Sequence, residues 1–145
     1  MNSGLIKLGL VALVGTMITA GVNGCKKSKD FYNQGVAHSK KGETDLAISD
    51  YNKALEINPK YDGAYINHGV AYGQKGEYDQ AISDCNKALE INPDFAEAYH
   101  NRGIIYYVKK EYDKTWEDVH KVQSLGHHVH PEFLKALRED SGREN

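Results

Sequence analysis

Little in this sequence points to covalent or metal chemistry. Two cysteines in 145 residues provide no disulfide framework. There is no Gly-rich phosphate loop, no nucleophile elbow and no HExxH, and the carboxylates recur with the helical pattern as solvated faces do. Neither an enzyme nor a cofactor is expected. No run of Lys and Arg is long enough to track a phosphate backbone and the net charge is -2, so nucleic acid is not an expected partner. The prolines number three, and each falls at a boundary: Pro59 and Pro93 stop helices, and Pro131 suits the first turn of one. What is present is a globular composition, 40% hydrophobic and 26% charged, with room for one domain.

The first 24 residues differ from the rest. Lys7 is followed by LGLVALVGTMITAGV, too short to span a bilayer comfortably and of the right length for the core of an export signal. The run ends in Val22-Asn23-Gly24-Cys25, which resembles the lipobox of bacterial lipoproteins. That resemblance implies removal of 1–24, lipidation at Cys25, a membrane anchor, and a cell-envelope protein facing the periplasm. Lys26 after Cys25 points to the outer membrane. Two alternatives stand beside it: an uncleaved membrane anchor, for which the lysines at 26, 27 and 29, outnumbering Lys7, point to the opposite orientation, and an ordinary cleavage site beside an unmodified cysteine. The second cysteine, Cys85, is expected as a buried thiol.

The rest of the chain repeats. YNKALEINP at 51–59 returns as CNKALEINP at 85–93, and 45–78 against 79–112 gives 21 identities in 34 positions. Such a period marks a stacked array. Within each copy, apolar residues such as Leu46, Ala47, Ile48, Tyr51, Ala54, Leu55 and Ile57 recur at spacings of three and four, and Asn58-Pro59 ends the pattern. Asp45, Asp79 and Asp113 fall in first turns, where a carboxylate favours the helix dipole. A second helical stretch, AYINHGVAYGQKG, precedes and breaks at Gly76. Each unit is therefore two short helices and a tight turn.

The columns of residues resemble the tetratricopeptide repeat. The aromatic column is Phe31, Tyr65 and Tyr99; the glycine column is Gly35, Gly69 and Gly103. His38, Tyr72 and Tyr106 follow, then Ala47, Ala81 and Thr115, then Tyr51, Cys85 and Val119, with Pro59 and Pro93 closing two copies. The resemblance implies an all-α, right-handed superhelical solenoid of three units at 28–61, 62–95 and 96–126. A tether at 25–30 would precede them. A His-containing linker at 127–130, a capping helix at 131–140 and a disordered tail at 141–145 would follow. Phe133, Leu134, Ala136 and Leu137 give the cap one apolar face to close the array. Gln34, His68 and Arg102 replace the family's leucine, so that slot is expected to be polar and half exposed. Lys110 stands where the other units have Gly42 and Gly76, and Trp116 is expected to be structural.

Two sites come into question. In tetratricopeptide proteins the first helix of each unit lines a concave groove, and the asparagine column Asn33, Asn67 and Asn101 offers a donor and an acceptor to a peptide backbone; its alternative is a role in holding the fold. Tyr32, Val36, Ile66, Val70, His100, Ile104 and Tyr107 are the expected apolar groove neighbours. The slots that grip acidic chaperone tails in some relatives hold Tyr32, Val36, Asn67, Glu97 and Asn101, which supply no cation, so that specificity is not implied. His127, His128 and His130 are a weak metal-ligand candidate with no completing Cys or carboxylate, against a polar linker in which His130 caps the last helix. The expected function is a non-enzymatic adaptor binding a peptide or protein segment, in envelope assembly or secretion. A self-associating structural module and a metal-binding accessory are the alternatives.

Overall fold

A computed structural model describes residues 23–143. The export-signal reading of 1–24 falls almost wholly outside those residues. Among the described residues the chain is all helical: α1 covers 23–40, and then come α2 (Thr44–Ile57), α3 (Asp62–Gln74), α4 (Tyr78–Ile91), α5 (Ala96–Val108), α6 (Tyr112–Ser124) and α7 (Pro131–Ser141). Consecutive helices pack as antiparallel hairpins, and α3 also meets α5 across the intervening helix. This is a solenoid of three hairpins closed by a capping helix.

The turns inside the hairpins share one geometry. Gly42 and Gly76 have φ of 76° and 79°, and the amide three residues past each helix end reaches back five residues, Glu43 N to His38 O and Glu77 N to Tyr72 O, both at 3.0 Å. This six-to-one bond is the Schellman closure, which needs a left-handed residue. The third unit makes the same bond, Glu111 N to Tyr106 O at 2.8 Å, with Lys110 forced to φ 61°. A lysine carries a Cβ in a conformation that suits glycine.

Glycine is needed for a different reason where helices cross. A Cβ on Gly35 would fall 2.6 Å from the Tyr51 ring, one on Gly69 would sit 3.1 Å from Ala81 O, and one on Gly103 would sit 3.2 Å from Asp118 Cβ. The core is then filled by seams between units. Ile66, Cys85, Ala88 and Ala98 share one cluster, and Trp116, Val119, Val122 and Leu137 another.

Three expectations change. Residues 25–30 do not form a tether but lie within α1, because Ser28 is 1% exposed and its hydroxyl donates to Ala54 O at 2.8 Å. Ser141 is helical, not frayed, since its Oγ accepts from Trp116 Nε1 at 3.2 Å, and Arg143 pairs with Asp113 at 2.7 Å. The leucine-replacing slot is not uniformly half exposed. Gln34, at the open end of the array, is exposed, Arg102 is partly covered, and His68, covered by the preceding unit, is 5% exposed.

Candidate peptide-binding groove

The first helices of the second and third units leave a cavity of about 350 Å³ between them. Val70, Gly73 and Gln74 of α3 face Asn101, Ile104 and Val108 of α5 across it, and no charged side chain lines it. Val70, Ile104 and Val108 are 36%, 38% and 48% exposed and lie together on this one surface. Gly73 makes the space: a Cβ there would meet nothing within 4 Å, while the same slot one unit later holds Tyr107.

The asparagine column is not three equivalent residues. Asn33 is exposed on α1, and Asn101 lines the cavity. Asn67 donates from Nδ2 to Tyr32 Oη at 2.9 Å, which ties the first unit to the second. Tyr32 itself is half-buried, 4.8 Å from the Tyr61 ring. Val36 packs on the cluster of Ala47, Ile48 and Tyr51.

Three expected groove residues lie elsewhere. Ile66 is 1% exposed within the seam formed by α4 and α5, so it is a core residue. Tyr107 turns onto the cap, 5.3 Å from the Phe133 ring, with its hydroxyl donating to Asp140 at 2.5 Å. His100 lines a separate cavity of about 490 Å³ with Asp94, Glu97, His127 and His128. A single helix cannot distinguish the groove stripe from the neighbouring stripe that faces the next unit; the stacking decides it. Among the described residues no group of three or more His, Cys, Asp or Glu side chains is placed to hold a metal ion. His130 instead caps α7, its Nδ1 accepting from Glu132 N at 3.3 Å.

A column of buried carboxylates went unnoticed in the sequence. Asp50, Asp84 and Asp118, spaced by the repeat, are 5%, 4% and 3% exposed, not solvated as expected. Each meets a side chain from the first helix of its own unit: His38 Nδ1 at 2.8 Å, His68 Nδ1 at 2.9 Å, and Arg102 through two bonds. The His68 pair is close but poorly aligned, and neither imidazole nitrogen gains a hydrogen bond. Their common slot, opposite the repeat glycine, was the available signal.

Burial pushes the Cys85 thiol up to about 12, which makes it a poor nucleophile, while Cys25 is exposed at the start of the described helix. Among the described residues no helix is long and apolar enough to cross a membrane.

Models of the tetratricopeptide repeat match residues 28–61 and 50–83, and a TPR repeat model matches 69–109. No curated protein matches the sequence. Among solved structures, the first TPR of Spaghetti (RPAP3) bound to the HSP90 peptide SRMEEVD is similar at 26% identity and a TM-score of 0.74, over 81% of this chain and 92% of that one. The first TPR domain of human RPAP3 gives 25% and 0.73, over 82% and 93%. MamA gives 28% and 0.67, over 77% of this chain and 62% of that chain. With these helices and turns, and three overlapping repeat models that together span 28–109, the chain is built of tetratricopeptide repeats.

Proposed function

We propose that this protein is a non-enzymatic adaptor whose groove between α3 and α5 holds an extended, uncharged, aliphatic peptide segment. The observation that carries this reading is the cavity itself: three exposed aliphatic side chains, two amides and two glycines, beside Tyr78 and Ile105, with no charged lining. Asn101 and Gln74 offer donors and acceptors to a peptide backbone while Val70, Ile104 and Val108 contact its side chains. The similar RPAP3 domain was solved with an acidic peptide. Here the corresponding clamp slots supply no cation, so the groove favours a segment of different chemistry.

Fluorescence anisotropy with two labelled peptides tests this. An extended peptide of Val, Ile, Ala and Asn should bind the full chain more tightly than SRMEEVD, and the preference should vanish in Gly73→Leu. Equal or reversed affinity contradicts the reading.

We place the adaptor in a bacterial envelope, held by lipid at Cys25. The Val22-Asn23-Gly24-Cys25 sequence supports this, as does the exposure of Cys25. Metabolic labelling with an alkynyl fatty acid should mark the wild-type chain and leave Cys25→Ser unmarked. Equal labelling of both removes lipidation at this residue.

A further inference from the structure

We propose that Lys26, Lys27 and Lys29, on the first turns of α1, dock the solenoid against anionic phospholipid headgroups. The inference rests on the membrane-proximal reading of the residues before Cys25.

Charge in this chain is divided. Residues 23–41 hold five lysines, at 26, 27, 29, 40 and 41, against one carboxylate, Asp30, a net of +4; residues 42–145 hold 12 basic and 19 acidic side chains, a net of -7. All five lysines are exposed, and among the described residues none is in ion-pair range of a carboxylate. Cations of the later helices are engaged instead: Lys75 with Asp45 at 2.9 Å, Lys109 with Asp79 at 2.5 Å, Arg143 with Asp113. Eight of the 12 later cations pair with a carboxylate, against none of the five at 26–41 among the described residues.

Among the described residues that helix also ends the stack. In α3 the residues facing the preceding unit are Ala64, His68 and Ala71, all buried; their counterparts in α1 are Asp30, Gln34 and Ala37, all exposed. A polar end face of this kind suits solvent or headgroups and does not suit a further hairpin. Lipid at Cys25 would hold a bilayer at the start of this helix. At 1.5 Å per helical residue, Lys26, Lys27 and Lys29 lie within roughly 6 Å of Cys25 along the axis, inside one Debye length at physiological salt. Any bilayer that holds the chain at this point therefore brings three unpaired cations to its headgroups.

Sedimentation of the full chain with phosphatidylcholine vesicles, pure or mixed with phosphatidylglycerol, reads the effect. Wild type should partition more strongly onto the mixed vesicles at low salt, and a chain with Lys26→Gln, Lys27→Gln and Lys29→Gln should lose roughly a hundredfold of that preference. A control with Lys40→Gln and Lys41→Gln should keep most of it. Unchanged preference in the triple variant, or an equal loss in the control, overturns local docking. A salt-sensitive dimer without vesicles that the triple variant abolishes assigns the lysines to a second copy of the chain and also overturns it. Failure to bind either vesicle contradicts the membrane-proximal reading itself, a separate outcome.

Discussion

Arg102 holds Asp118 through both edges of its guanidinium, Nε to Oδ2 at 3.0 Å and Nη2 to Oδ1 at 2.6 Å, and its remaining nitrogen donates to Asn86 Oδ1 at 2.5 Å. One side chain thereby joins α5 to its own partner helix and to the helix of the unit before. Burial raises the Asp118 carboxyl against the lowering pull of Arg102, so the carboxylate depends on its partner. Arg102→Ala should cost about 3–5 kcal/mol in urea unfolding, because it strands a buried carboxylate. Arg102→Met with Asp118→Leu should recover most of the loss.

The glycines divide by what surrounds them. Gly35→Ala should destabilise by about 1–3 kcal/mol, since the added carbon meets the buried Tyr51 ring. Gly73→Ala should stabilise by up to about 1 kcal/mol, because its Cβ has free space and alanine favours the helix. Thermal melts of the two variants should move in opposite directions.

Lys110 occupies the left-handed position that glycine fills in the other turns. Lys110→Gly should raise stability by about 1 kcal/mol, measured by denaturant midpoint. A loss would show that the lysine contributes a contact greater than its backbone strain.

Cys85 sets an alkaline limit. Its folded pKa, pushed from 9.0 up to about 12, lies above that of the unfolded chain, so its contribution is intact below pH 9 and lost as pH rises toward 12. The three-unit difference corresponds to on the order of 4 kcal/mol at the upper end. Cys85→Ala should flatten the stability profile over that window, although Tyr51, also pushed up to about 12 by burial, keeps some slope. At pH 8 a thiol reagent should modify Cys25 at once in the unlipidated chain and leave Cys85 intact.

Much of the solenoid could be read from the chain. The spacing in DLAISDYNKALEI, the stops at Asn58-Pro59 and Asn92-Pro93, and the start at Pro131 place helices close to where they occur. The glycine column marks the crossings. What escaped depends on contact between units. Ile66 and Val70 are four residues apart on one helix, yet one is buried in a seam and the other opens onto the groove. Asp84 and Asp79 carry the same charge, yet Asp84 faces His68 in the interior and Asp79 meets Lys109 at the surface. The 34-residue register identifies equivalent residues without saying which neighbour covers them.

The groove reading is tested most directly by methyl NMR. A peptide recovered from a random phage-displayed library on the wild-type chain is titrated into the protein with labelled Val and Ile methyls. Shifts should concentrate at Val70, Ile104 and Val108 and disappear in Gly73→Leu. Shifts confined to Val122, beside His127 and His128, or undiminished binding by Gly73→Leu, would contradict it.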